Sequence, residues 1–203
     1  IIESVFFCIR EVMKVAEVSL NSIISIGITN QRETTLIWDR KTGTPIHKAI
    51  VWQCRRTSEI CQKLIGTYEA ETITKATGLS IDPYFSATKI KWILDSVPGA
   101  YTKAKDGDLA FGTIDTWIIW NMTRGKSHVT DVTNASRTML FDLETLGWSK
   151  QILDIFDIPI ELLPEICDSD GQFGLCETDI FREVNLPISG VLGDQHASMF
   201  GQA

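Results

Sequence analysis

The chain has 203 residues, of which 44% are hydrophobic and 22% charged, and this ordinary globular composition excludes a disordered or collagen-like protein. Its 19 Lys and Arg against 26 Asp and Glu give a formal net charge of −7. An acidic chain without a basic block is a poor candidate for binding nucleic acid through its phosphates. No apolar run approaches the ~20 residues that span a bilayer, so no membrane span is predicted.

The cysteines and histidines give no sign of a cross-linked or metal-bound fold. Five cysteines include no C-x-x-C pair, and none of the three histidines has a Cys or His at ligand spacing. The sequence therefore predicts neither a disulfide framework nor a metal site. Scattered reduced thiols are typical of a cytoplasmic protein, which is the location we expect.

The first third of the chain reads as a helix followed by strands. Apolar spacing predicts a helix over residues 4–18 and a strand over residues 23–28. Two further strands are expected at Thr35–Asp39 and Ala49–Trp52, paired antiparallel across a turn at Lys41–Gly43.

The middle of the chain is mostly helical and the end returns to a strand. Helices are predicted over residues 56–65, from near Ser86 to the Pro98-Gly99 stop, and over Thr113–Met122 and Lys150–Phe156. A buried strand, Pro187–Leu192, then runs into Gly193-Asp194-Gln195 and a further helix. Strands before and after a helical middle predict a mixed α/β class.

Asp194 is the first candidate for chemistry. A carboxylate at the carboxyl end of a buried strand, just before a helix, lies where open α/β folds place their ligands. It could accept a proton from a substrate hydroxyl, as bases do in kinases. The alternative is that Asp194 only caps the following helix.

Arg32 and Glu33 lie in a polar segment, residues 30–34, between two apolar strands. Such a segment is often just a solvated turn. The functional alternative is a polyol site, in which the guanidinium donates to hydroxyl oxygens and the carboxylate accepts from hydroxyl groups.

Two aromatic side chains are further candidates. The indole of Trp52, at a predicted strand end, could cover the carbon face of a small polar substrate. Tyr84 precedes a helix and could bond a ligand hydroxyl. Both could instead be ordinary packing residues, since the chain holds six tryptophans.

No phosphate-cradling motif occurs in the sequence: it has neither G-x-x-x-x-G-K-[ST] nor G-x-G-x-x-G. If the protein uses a nucleotide, its main nucleotide site is expected outside these 203 residues.

Several segments taken together closely resemble the glycerol kinase family of carbohydrate kinases, which share the actin-like, ribonuclease-H-like ATPase fold. The similar segments occur in order along the whole chain: Ile24–Thr35, Ala49–Thr57, Asp82–Trp92, Val129–Phe141, Pro187–Gly190 and Gly193–Gln195. The resemblance implies a mixed sheet flanked by helices.

The resemblance also implies transfer of the ATP γ-phosphoryl group to glycerol, with Mg²⁺ required by the parent enzyme. Carried over by position, Arg32 and Glu33 would hold the glycerol hydroxyls, and Trp52 would pack on the carbon chain. Tyr84 would bond a hydroxyl. Asp194 would act as general base, and Gln195 would orient the substrate. No metal ligand or cofactor-binding residue is expected within this chain, and Asp131–Thr138 is interpreted as mainly structural, facing the interdomain cleft.

On this view residues 1–203 form one partial glycerol-binding domain. The family's first strands, with their phosphate loop, and its nucleotide domain are expected to be absent, so the 203 residues alone are predicted to be inactive. The full-length protein is expected to be a homo-oligomer, and residues 177–185 lack the glycine-rich loop of members inhibited by a sugar bisphosphate.

Three alternatives remain open at this stage. The chain could be a non-catalytic polyol-binding module, or a sister kinase for a longer sugar such as xylulose or gluconate. It could also be a nuclease of ribonuclease-H-like fold with Asp131 and Asp194 as metal ligands, although the acidic charge argues against that class.

Overall fold

The computed structural model describes residues 1–181 and 184–202. Within them the helices are α1 (Ile2–Val15), α2 (Ser58–Leu64), α3 (Tyr68–Thr77), α4 (Ser86–Ser96), α5 (Ala100–Lys105), α6 (Ile114–Met122), α7 (Val132–Ala135), α8 (Lys150–Phe156) and α9 (Asp194–Gln202). The strands are β1 (Ile26–Asn30), β2 (Leu36–Asp39), β3 (Leu109–Gly112), β4 (Val129–Asp131), β5 (Phe141–Asp142), β6 (Gly147–Trp148), β7 (Glu165–Cys167), β8 (Gly174–Leu175) and β9 (Pro187–Gly193). The expected α/β class is confirmed.

The strands pair both parallel and antiparallel, as expected, but in several small sheets rather than one. β1 pairs parallel with β9, which pairs antiparallel with β8. β2 pairs antiparallel with β3, β4 pairs parallel with β7, and β5 and β6 form a short antiparallel pair.

Most sequence-predicted elements occur with shifted ends. The first helix and the first strand occupy Ile2–Val15 and Ile26–Asn30 rather than residues 4–18 and 23–28. The predicted strand Ala49–Trp52 is wrong as a strand, because only Ile50 pairs there, in an isolated antiparallel bridge with Thr35. The full partner of β2 is β3, about 70 residues further along, which local patterning cannot show.

The β2–β3 ladder separates two hydrophobic cores. Successive strand side chains point to opposite faces. Ile37 and Phe111 therefore join one core, with helices α4 and α8, while Trp38 and Ala110 join the other. The second core contains α6, which is buried almost all round and accordingly apolar.

The second core also holds the buried face of β1 and β9 and so fixes the edge that carries the polar residues. Ile28, Ile188 and Val191 all pack into it. Because β1 and β9 are parallel and Asn30 pairs with Gly193, the segments that follow both strands emerge side by side. Arg32 and Glu33 follow the first strand, and Asp194 and Gln195 follow the second.

No helix in the described ranges is both long and apolar enough to cross a bilayer, as predicted. All five cysteines are free thiols in the structure.

Candidate active site

The structure brings together the predicted residues from the two strand ends. Arg32 is only 4% exposed, and its Nη2 donates to Gln195 Oε1 at 2.5 Å. Its Nε lies 3.6 Å from Asp194 Oδ1, and its Nη1 donates to His196 Nδ1 at 3.4 Å. One buried guanidinium thus holds the start of α9 against the segment after β1.

Asp194 is the exposed member of this group. Its side chain is 56% exposed, and Oδ1 accepts from the backbone N–H of Gln195 at 2.9 Å. The carboxylate therefore bonds a backbone N–H at the start of α9, as the helix-capping alternative expected. It still faces solvent beside the Arg32 guanidinium.

Glu33 and its neighbours are not a solvated turn. Glu33 is 2% exposed and adopts φ 62°, a left-handed conformation that costs a non-glycine residue ~1–2 kcal/mol. Its carbonyl accepts from Thr35 Oγ1 and Ser86 Oγ, at 3.1 and 3.2 Å, which holds the strained backbone in place. Such strain commonly accompanies a functional site.

The Glu33 carboxylate is paired with Arg137. Arg137 Nε donates to Glu33 Oε1 at 2.8 Å. Burial raises the pKa of Glu33, and the cations of Arg137, Arg32 and Lys89 oppose that rise. The site therefore keeps an acceptor group in a largely dry position among three positive charges.

The two predicted aromatic residues lie together beside this ion pair. The rings of Trp52 and Tyr84 are 5.5 Å apart and tilted by 56°. The Arg137 guanidinium carbon lies 5.6 Å from the Tyr84 ring centroid and 4.8 Å from that of Phe85. Both predicted aromatics are half-buried, so each retains surface that a substrate could cover.

Lys89 fixes the backbone of the turn that carries Tyr84. It is fully buried at the start of α4, and its Nζ donates to the carbonyls of Tyr84 and Phe85, the latter at 3.1 Å. Burial lowers the pKa of Lys89 to about 8, and nearby Glu33 works against that lowering.

A buried polar network underlies the strand ends. Asp131 is fully buried and accepts from Thr133 N and Oγ1, from Asn134 N and Nδ2, and from Ser169 Oγ, all within 3.0 Å. Thr133 in turn accepts at Oγ1 from Gly193 N (2.8 Å) and at its carbonyl from Arg32 Nη1 (3.4 Å). The network ties α7 to both halves of the site.

Gly193 is required by close packing rather than by its backbone angle. A Cβ there would lie 2.3 Å from Arg32 Cδ, which is a severe overlap. The absence of a side chain at the last position of β9 is what lets the Arg32 side chain cross the strand end.

A second buried carboxylate, Asp115, lies at the other end of this network. Its oxygens accept from Thr113 Oγ1, from Thr130 Oγ1 at 2.7 Å and from Asn30 Nδ2 at 3.4 Å. Burial raises the pKa of Asp115 to about 6, and the Asp131 charge adds to that rise.

Sequence reasoning missed the part of the site contributed by residues 131–138. Interpreting that segment as mainly structural overlooked Arg137 and Thr133, which contact Glu33 and Arg32 directly. The available signal was a run of polar side chains around a short helix, but the partners lie 101 to 104 residues away in sequence.

The geometry argues against the metal-dependent nuclease. Asp131 already accepts five hydrogen bonds, which occupies the lone pairs that a metal would need. Across residues 1–181 and 184–202, no group of three or more His, Cys, Asp or Glu side chains is arranged to hold a metal ion.

A groove of about 510 Å³ lies elsewhere, beside α5 and α8. Two of its polar side chains bond each other, since Tyr101 donates to Asp157 at 2.7 Å. It has no buried, unpaired polar side chain, and we assign the site to the ends of β1 and β9 instead.

The chain belongs to the FGGY family of carbohydrate kinases, whose N-terminal domain model matches residues 1–201. This match gives no support to the expectation that the domain is incomplete at its N-terminus.

Within that family the chain is similar to glycerol kinases. It is 55% identical over 194 residues to glycerol kinase of Francisella philomiragia, covering 95% of this chain and 39% of the relative. It is 51% identical over 203 residues to that of Xylella fastidiosa, covering 100% of this chain and 41% of the relative. The chain thus spans about two fifths of the length of these relatives.

Solved structures of carbohydrate kinases share this fold. Glycerol kinase of Plasmodium falciparum with ADP superimposes with a TM-score of 0.84 at 44% identity, covering 89% of this chain and 36% of that one. A xylulose kinase of Lactobacillus acidophilus superimposes at 0.77 and 23% identity, with 88% and 36% covered, which shows the shared fold alone.

The expectation that a sugar bisphosphate does not regulate the protein stays a prediction. Of the segment 177–185 on which that prediction was made, Arg182 and Glu183 lie outside the described residues.

Proposed function

We propose that the intact protein containing this chain phosphorylates glycerol at a terminal hydroxyl with ATP, and that this chain supplies the glycerol site. The observation that carries the proposal is the convergence of Arg32, Glu33 and Asp194 at the carboxyl ends of the parallel strands β1 and β9. The similarity to glycerol kinases supports glycerol as the substrate.

The paired side chains suit a small polyol. The buried Arg32 guanidinium donates and the Glu33 carboxylate accepts, so adjacent hydroxyl groups find complementary partners. Trp52 and Tyr84 offer half-buried aromatic surface for the carbon chain and a phenol for a hydroxyl. Gln195, held by Arg32, is positioned to orient the same substrate.

Asp194 is assigned the role of general base. Its exposed carboxylate takes the proton from the terminal hydroxyl as the oxygen forms a bond to the γ-phosphorus of ATP. The bond from that phosphorus to the β–γ bridging oxygen breaks, and ADP leaves with the bond's electron pair. The products are glycerol 3-phosphate and ADP.

The described residues do not fit the nucleotide's phosphates or Mg²⁺. They include no cluster arranged for a metal ion, and the sequence contains no phosphate-cradling loop. We therefore assign ATP and Mg²⁺ binding mainly to other parts of the intact protein, and we expect the 203 residues alone to lack kinase activity. The cytoplasmic location expected from the reduced thiols and the homo-oligomeric state expected from the resemblance stay predictions.

The proposal is tested by ADP production from ATP, Mg²⁺ and glycerol in the intact protein, with xylulose and gluconate as rival substrates. We expect D194N to lower kcat by about 10²–10⁴-fold, the usual contribution of a general base. D106N, which changes an exposed carboxylate at the end of α5, is the matched control and should leave turnover unchanged.

The panel also separates the alternatives. Preference for xylulose or gluconate would indicate a sister kinase. Glycerol binding without turnover in the intact protein would indicate a non-catalytic polyol-binding module, and undiminished activity in D194N would remove Asp194 from the mechanism.

A further inference from the structure

We propose that Arg137 is a positioning residue that sets the selectivity of the site for a small polyol, an inference that rests on the function proposed above. Arg137 follows α7 and joins two groups from separate segments of the chain. One is Glu33, which follows β1, and the other is Tyr84, which precedes α4.

The contact with Glu33 fixes the acceptor. Among the residues that the structure describes, Arg137 is the one side chain that donates a hydrogen bond to this carboxylate, at Oε1. We assign the second oxygen, Oε2, to a substrate hydroxyl, since Arg137 bonds only Oε1. Because Glu33 is 2% exposed, water has little access to replace the Arg137 contact.

The contact with the aromatic rings fixes the opposite side of the site. The Arg137 guanidinium carbon is 4.8 Å from the Phe85 ring centroid and 5.6 Å from that of Tyr84, within cation–π range. A planar guanidinium can donate from its edge and stack with its face at the same time. A lysine ammonium is a point charge and cannot do both in one geometry.

Lys89 and Arg137 hold different parts of the site. Its ammonium holds the backbone carbonyls of Tyr84 and Phe85, so the path of that turn does not depend on Arg137. Arg137 contributes the relative placement of the Glu33 carboxylate and the Tyr84 ring. That placement sets the maximum chain length of a polyol that can bind with both its hydroxyls and its carbon chain in contact with the site.

The inference predicts a change in selectivity rather than a simple loss of turnover. In R137K the KM for glycerol should rise about tenfold, and kcat should change by less than about threefold, because a positioning contact in the binding site is lost and the base is untouched. The preference for glycerol over erythritol, as the ratio of kcat/KM values, should fall about tenfold.

The experiment measures kcat and KM for glycerol and erythritol in the intact protein, in wild type, R137K and R137Q. The ratio of two kcat/KM values does not depend on how much of a variant is folded, so a destabilised variant stays informative. R40K is the matched control, since Arg40 is also a guanidinium near an aromatic ring, 6.0 Å from the Trp120 centroid, but bonds Leu109 and His128 instead.

A fall in the glycerol preference in R137K and R137Q, with no fall in R40K, supports the inference. An unchanged preference in both Arg137 variants overturns it, including the case in which kcat drops equally for both polyols, which is the result of a merely structural role. If the wild-type protein phosphorylates no polyol, the proposed function and this inference are overturned together. If the wild type prefers glycerol and the Arg137 variants keep the same preference, this inference alone is overturned.

Discussion

At the scale of single residues, the site is a set of charged side chains that pair with one another and are largely shielded from water. Arg32 and Glu33 are nearly fully buried, and each has partners of opposite charge from a distant segment. Removing one partner of a buried ion pair destabilises the fold by far more than the pair's net contribution to stability, because the other charge is left buried and unpaired. These residues are therefore sensitive to conservative substitution.

Asp115 gives a prediction on stability against pH. Its native pKa of about 6 is above the value of 3.8 that it has when unperturbed, so the native state binds the proton more tightly than the unfolded state. The stability associated with Asp115 is present below about pH 4 and is lost as pH rises through about 6. D115N does not titrate, and its amide can still bond the Thr130 hydroxyl.

We therefore expect D115N to be more stable than wild type near pH 8, by at most on the order of 3 kcal/mol, with the gain shrinking toward about pH 4. Melting temperatures of both proteins measured across that range would check this. A stability difference that does not vary with pH would contradict a raised pKa for this carboxyl.

At the scale of secondary-structure elements, the parallel pair β1–β9 decides where the site lies. The pairing of Asn30 with Gly193 aligns the two strand ends, and α7 locks them through Thr133. The missing side chain at Gly193 lets Arg32 pass. The arrangement of the proposed site thus depends on the register of one strand pair.

Substitution of Gly193 tests this dependence. G193A places a methyl group on Arg32 Cδ, so we expect a loss of ~1–3 kcal/mol in stability and a marked rise in the KM for glycerol. G190A in the same strand is the matched control, since its Cβ would meet nothing nearer than Ser169 O at 3.8 Å. Chemical denaturation and steady-state kinetics would measure both effects, and equal behaviour of the two variants would contradict the steric argument.

How far the sequence predicts these elements depends on how local the signal is. The apolar stripe of α4 and its Pro98-Gly99 stop are local, and the helix was predicted correctly. β3 was missed because it is only four residues long and is defined by a partner about 70 residues earlier. The same distinction holds for the site. Asp194 and Arg32 are identifiable as candidates from their local sequence, whereas the Glu33–Arg137 pair joins residues 104 apart, which no periodicity reveals.

At the scale of the whole molecule, the β2–β3 ladder divides the chain into two cores, and the site draws on both. Tyr84 packs against the core that contains Ile37, while β1 and β9 border the core that contains Trp38. The aromatic side and the charged side of the site are thus held by different hydrophobic clusters. Small shifts of one cluster against the other would alter the spacing between Tyr84 and Asp194.

The most direct test of the central claim is a structure of the intact protein with glycerol and ADP. We predict that glycerol lies at the carboxyl ends of β1 and β9, with hydroxyls on Arg32 and Glu33. The terminal hydroxyl oxygen should lie about 3 Å from the Asp194 carboxylate, within reach of proton transfer. Glycerol bound elsewhere, or an Asp194 carboxylate turned away from it onto the start of α9, would contradict the account.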